Sequence, residues 1–124
     1  MIEVKPIHER ELLTQLYEKH ALSLDGYSGG VLARCGEETL GYCLYTLTER
    51  GITVRILEPQ DDRFLADGIL RSALHVAAER SAMDAHYSET APESLFQTLG
   101  FVKDSAQKTL DIDLLFGGCH CQKD

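Results

Sequence analysis

No stretch of the sequence is apolar for long enough to cross a bilayer, and none repeats or thins out into a linker. Cations are scarce too: 12 Lys and Arg stand against 20 Asp and Glu, for a formal net charge of -8. That balance repels a phosphate backbone and removes the long-range attraction that dominates nucleic-acid affinity, so neither nucleic acid nor a membrane is expected as a partner. A secretory leader is not expected either, because the opening MIEVKPIHERELL is too charged to supply its apolar segment. The four cysteines lack the spacing of a disulfide framework: Cys35 and Cys43 fall in strand-like text, and Cys119 and Cys121 crowd the last six residues. Reduced thiols and a cytoplasmic location are the expectation.

What is present suffices for one core. A chain of 124 residues with 44% hydrophobic content reads as one domain over residues 1–116, followed by a cysteine-containing tail over 117–124. Leu12, Leu13, Leu16 and Tyr17 recur at helical spacing with charged residues between them, which predicts an amphipathic helix over 8–20. The runs VLARC, LGYCLYTLT and ITVRILE, separated by GEE and ERG, read as antiparallel strands. Both parities of the middle run are apolar or aromatic, as suits a central strand covered on both faces. Ile69, Leu70, Ala73, Leu74, Ala77 and Ala78 then form the narrow stripe of a helix over 66–81 lying on a sheet. MDAHYSE predicts a strand, PESLFQTL a brief helix with Pro92 in its first turn, and FVKD and TLDIDLLF two closing strands. Strands flanking the 66–81 helix are expected to be parallel and the earlier ones a meander. The fold class is therefore α+β: a mixed, mostly antiparallel central sheet of about six strands with helices on both faces.

The loop after Glu58 is the first place where chemistry is expected. A helix N-terminus leaves backbone N–H groups unpaired at the positive end of its dipole, which suits a phosphate. RFLADG puts Arg63 just outside the helix and the small residues Ala66 and Gly68 where bulk would keep an anion away. Asp61, Asp62 and Asp67 support another reading, in which these acids simply cap the helix.

Here the chain resembles the GNAT superfamily of acetyl-coenzyme A-dependent N-acyltransferases. Arg63, Ala66 and Gly68 stand at the Gln/Arg, first Gly and Gly/Ala positions of that family's pyrophosphate loop, with the first glycine lost. LFQTLGF matches the family's Leu-Tyr-x-x-Leu-Gly-Phe-like run at Leu95, Leu99, Gly100 and Phe101. The element order agrees over about residues 29–113, and the usual second N-terminal helix is absent or reduced to the 21–28 turn. The resemblance implies acetyl-CoA as co-substrate, held by Arg63, Phe64, Leu65, Ala66, Asp67, Gly68 and Ile69, with Phe96 near the sulfur end. It implies a V-shaped opening between the strands at 52–58 and 83–88, and transfer of the acetyl group to an amine. Acyl-CoA and an amine substrate are thus the expected partners, and a homodimer is left open. Many members use the motif's tyrosine as general acid; here that position is Phe96, which has no proton to give. A catalytically weak coenzyme-binding module is the alternative.

Other candidates rest on residue type and placement. Glu58, at the end of the cofactor strand, is a candidate base, or a solvated strand-end carboxylate. His86 shares a strand face with Asp84 and Ser88 and is either an acid–base group or a surface histidine. Tyr42, Tyr45 and Tyr87 are alternative hydroxyl donors, and Arg55 can draw an acidic group or pair with a neighbouring acid. Gly100 is expected just past its helix in the left-handed conformation, folding Phe101 back towards Phe96 as packing. No metal site is assigned. Cys119, His120 and Cys121 offer three ligands where zinc normally takes four, and a metal or thiol protein working through that tail is the rival from another class.

Overall fold

Periodicity in the sequence becomes layers in three dimensions. The computed structural model describes residues 1–117, so Cys119, His120 and Cys121 lie outside the described residues. In chain order the elements are β1 (Ile2–Pro6), α1 (Arg10–Lys19), β2 (Ser28–Cys35), β3 (Glu38–Leu47), β4 (Gly51–Glu58), α2 (Arg63–Glu79), β5 (Asp84–Tyr87), α3 (Glu93–Leu99), β6 (Val102–Asp104), β7 (Thr109–Leu110) and α4 (Leu114–Gly117). They build one seven-stranded sheet in the order β1-β2-β3-β4-β5-β7-β6. Every neighbouring pair is antiparallel except β4 and β5, which flank α2 and run parallel. The second N-terminal helix is absent; residues 20–27 form turns and irregular chain. No helix among the described residues is long and apolar enough to cross a membrane.

The two parities of β3 feed two cores. Tyr42 and Leu44 face α1, where they pack with Leu13, Tyr17, Leu32 and Ile56. Cys43 and Tyr45 face α2 and α3, in a larger cluster with Val54, Leu57, Ile69, Leu74, Phe96 and Phe101 among others. Tyr17 is fully buried and its hydroxyl lies 2.6 Å from the Tyr45 carbonyl oxygen and 2.9 Å from that of Gly29, so its single polar atom is satisfied where α1 crosses the strands. Gly41 of β3 allows a close approach: a Cβ there would collide with the Glu58 carbonyl oxygen and with the side chains of Pro59 and Ile69. This contact draws the end of β4 and the root of α2 against the middle of the sheet.

Two of the boundaries that differ from the sequence reading have a clear local cause. α2 starts at Arg63, three residues before the predicted start at 66, because Asp62 is an N-cap whose carboxylate accepts the Leu65 N–H at 3.1 Å while its carbonyl accepts that of Ala66 at 2.9 Å. RFLADG is therefore helix rather than loop. At the other end TLDIDLLF is not one strand. Only Thr109 and Leu110 pair, since Asp111 turns the chain: its side chain accepts from Asp113 N–H and its carbonyl from Leu114 N–H, each at 3.2 Å.

α3 ends as the Gly-Phe run predicts. Gly100 sits at φ 82°, the Phe101 N–H bonds the Phe96 carbonyl at 3.0 Å, and both phenyl rings are fully buried. Open space surrounds the Gly100 Cα, so Gly100→Ala meets only backbone strain and is expected to lower unfolding free energy by about 1–3 kcal/mol in a denaturant titration. Asp62→Ala removes the α2 cap and is expected to cost about 1 kcal/mol in the same assay; no loss would mean the cap does not hold α2.

Candidate functional site

The site begins with a parting of strands. β4 is eight residues long and β5 four, and their register runs from Gly51↔Asp84 to Val54↔Tyr87, which leaves residues 55–58 of β4 without a β5 partner. The parting coincides with a bulge. Leu44 pairs with Ile56 and Tyr45 with Val54, so Arg55 is an extra residue with no opposite number in β3. The bulge also switches faces: Ile52 and Val54 belong to the α2 core, but Ile56 belongs to the α1 core and Leu57 returns to the α2 side. The chain leaving β5 is pinned at this point, Ser88 donating its N–H to the Val54 carbonyl and Thr90 its hydroxyl to the Arg55 carbonyl, each at 2.9 Å. The opening between β4 and the start of α3 therefore begins at the bulge.

At the far end of the exposed β4 segment stands the mouth of α2. Asp62 satisfies the Leu65 and Ala66 N–H groups, while those of Arg63 and Phe64 have no acceptor among the described residues. The side chains of Arg63 and Phe64 are exposed, Leu65, Asp67 and Gly68 are partly so, and Ala66 and Ile69 are buried beneath the helix. Asp67 is held by an ion pair to Arg71 at 2.8 Å on the helix surface. Ala66 and Gly68, one turn inside α2, leave room rather than donate: a Cβ at Gly68 would meet nothing within 4 Å. The arrangement is a short run of unpaired strand leading to two free helix N–H groups beside one guanidinium, with the Asp62 carboxylate opposing an anion there.

The structure separates the two residues read as catalytic. The bulge turns Glu58 to the α1 face, where it is half-buried at the rim of a cavity of about 570 Å³ with Leu16, Lys19, His20, Tyr42 and Pro59. Tyr42 is the register partner of Glu58, and its hydroxyl is 2.8 Å from His20 Nε2. His86 is exposed on the same face of the sheet but is aligned with Thr53, five positions before Glu58. At the rise of a strand that is roughly 15 Å away, too far for the two to serve one reacting atom. His86 lies instead in a groove of about 600 Å³ with Asp84, Lys103, Asp104 and Asp111. Lys19 and His20 were not legible as neighbours of Glu58, because they come from the C-terminal end of α1 and meet it only through tertiary packing.

On the α2 and α3 face, Phe96 is fully buried and edge-on to Tyr87, with ring centroids 5.3 Å apart. It offers the opening no exposed surface. Tyr87, the last residue of β5, donates its hydroxyl to Glu93 Oε2 in the first turn of α3, and burial pushes that hydroxyl up to about 12 with the Glu93 contact adding to the shift. Tyr45 is buried in the same core, its hydroxyl raised to about 12 chiefly by burial, and the fully buried Cys43 thiol is pushed well up for the same reason. Cys43 is a core residue at neutral pH, and Cys35 is the exposed free thiol of the described residues.

No family model matches the sequence, and no curated protein is similar to it in sequence. Solved structures do resemble it. A ribosomal-protein-alanine N-acetyltransferase from Brucella melitensis biovar Abortus superposes with a TM-score of 0.59 at 17% identity, covering 80% of this chain and 90% of the other. A GNAT-family acetyltransferase from Streptococcus pneumoniae gives 0.55 at 19% identity over 82% and 87% of the two chains. A protein from Desulfovibrio desulfuricans, described as an acetyltransferase of the GNAT family, gives 0.54 at 10% identity over 70% and 72%. At these identities the likeness is one of architecture, and it is consistent across all three: the chain has the GNAT acetyltransferase fold.

Proposed function

We propose that the protein is an acyltransferase that moves the acetyl group of acetyl-CoA to the amine of a small molecule or peptide. The observation that carries this reading is the β4 segment 55–58, unpaired on its β5 side and leading to the free N–H groups of Arg63 and Phe64. An amide-rich pantetheine chain can satisfy such a strand edge as a further strand would, and a diphosphate suits a helix N-terminus. The acceptor amine has to reach the thioester carbonyl at the bulge, and a chain of net charge -8 draws cationic amines towards it. Glu58 serves this reading as a carboxylate that holds such a cation at the α1-side cavity, and His86 as a group further along the same face. The free thiols Cys35 and Cys43 fit a cytoplasmic setting.

A second reading is favoured by one observation: Phe96, at the position of the family's usual acid, is buried and without a proton to donate. Under it the domain binds acetyl-CoA and transfers little or nothing. Calorimetric titration with acetyl-CoA followed by an assay of thiol release with polyamines, aminoglycosides, amino acids and peptides separates the two. Binding with amine-dependent thiol release is expected; binding without release supports the second reading, and no binding removes both. Gly68→Val is expected to leave the fold intact, since the added side chain enters open space, while weakening acetyl-CoA at least tenfold by crowding the α2 mouth. Unchanged affinity would place the diphosphate elsewhere.

A further inference from the structure

We propose that the acceptor is a diamino monocarboxylic acid whose zwitterionic head is held between Glu58 and Lys19 in the α1-side cavity, leaving its second amine to take the acetyl group. The inference rests on the acetyl-transfer reading and names the substrate class for it. Glu58 and Lys19 both line this cavity of about 570 Å³, a volume within the range of about 300–1,000 Å³ common to small-molecule sites. Neither takes part in an ion pair among the described residues, so the cavity presents one anion and one cation that do not neutralise each other. Glu58 is half-buried at the end of β4. Lys19, in the last turn of α1, is exposed, yet its Nζ lies over the ring of Tyr42, 5.9 Å from the centroid, and Tyr42 lines the cavity too.

The two charges select the ligand. A simple cation gains from Glu58 and is repelled by Lys19, and a simple carboxylate meets the reverse. A molecule that carries an ammonium and a carboxylate on one carbon satisfies both. Leu12, Leu16 and Leu32, with the Tyr42 ring, supply an apolar wall for methylene groups. The Tyr42 hydroxyl is already engaged with His20 Nε2 at 2.8 Å, so recognition of charge falls to Glu58 and Lys19.

The ammonium beside Glu58 is not the nucleophile. A carboxylate partner favours its charged form, which has no lone pair. The head is also too far away: Glu58 lies three residues beyond Arg55, about 10 Å along β4 from the bulge where the strands part. A second amine at the end of a lysine-length chain covers that gap, its six bonds of about 1.5 Å reaching about 7 Å in zigzag and the hydrogen bond to Glu58 adding about 3 Å. The transfer balances on that nitrogen without a further reactant. Its unprotonated form makes the C–N bond to the acetyl carbonyl carbon, the C–S bond breaks with its electron pair on sulfur, and the nitrogen gives up one proton to water.

The test measures thiol release from acetyl-CoA with lysine, with cadaverine, which lacks the carboxylate, and with 6-aminohexanoate, which lacks the α-ammonium. Lysine is expected to exceed each of the others in kcat/KM by about tenfold, and its product to carry the acetyl group on the side-chain nitrogen. Glu58→Gln is expected to abolish the advantage over 6-aminohexanoate and Lys19→Met the advantage over cadaverine, each with the acetyl-CoA Kd within about twofold of the unsubstituted protein. Thiol release that ignores these charges, or an acetyl group on the α-nitrogen, overturns the zwitterion site and leaves the transfer reading standing. No thiol release from any amine removes the transfer reading, and calorimetry of lysine then decides the cavity alone. Saturable binding that both substitutions abolish supports the site; binding that is absent or indifferent to them overturns it.

Discussion

One extra residue in β4 governs the rest of the molecule's layout. Arg55 has no partner in β3, and its insertion between Val54 and Ile56 rotates the remaining strand by one side-chain position. Upstream of it β4 is an ordinary interior strand, paired on both edges and apolar towards α2. Downstream, Ile56 and Glu58 turn to α1, β5 no longer follows, and residues 55–58 are left without a strand partner on that side. A sheet edge in the middle of a domain is an unfavourable thing to leave bare, and the proposed coenzyme site makes use of it.

Packing on either side fixes that opening. Tyr17 and the α1 cluster hold β2 to β4 from one face, and the α2 stripe from Ala66 to Ala77 holds them from the other. Gly41 lets β3 approach Glu58, Pro59 and Ile69 closely enough that α2 starts directly beside the end of β4. The helix mouth and the bare strand are thus neighbouring parts of one wall. Against this stands the charge of the mouth itself: Asp62 caps it and Arg63 is the first helical residue, so a diphosphate is favoured by two N–H groups and one cation and opposed by a carboxylate that the helix needs for its cap.

Much of this was legible in the residues because it is encoded locally. The two apolar parities of β3, the stripe of α2 and the Gly100–Phe101 stop each depend on spacing within a few residues, and the α2 crossover made β4 and β5 parallel neighbours. The start of α2 was harder, since RFLADG carries both the marks of an anion loop and those of a capped helix, and the Asp62 carboxylate decided for the helix. The run TLDIDLLF alternates like a strand, yet the turn bonds of Asp111 outweigh that alternation. The bulge left no mark at all: Arg55 is neither glycine nor proline, and its role appears only in the register with β3. The same holds for Glu58 with His20 and Tyr42, and for Tyr87 with Glu93, whose meetings are products of tertiary packing rather than of spacing along the chain.

The central claim is that coenzyme occupies the bare edge of β4 and the mouth of α2 together. Backbone amide resonances of the isotopically labelled protein, followed by NMR during titration with acetyl-CoA, read both places at once. The account predicts that the amides of Arg63 and Phe64 and those of residues 55–58 shift in concert with one affinity, while β1 and β2 stay still. Shifts confined to other surfaces, or an unchanged spectrum at saturating acetyl-CoA, would contradict it.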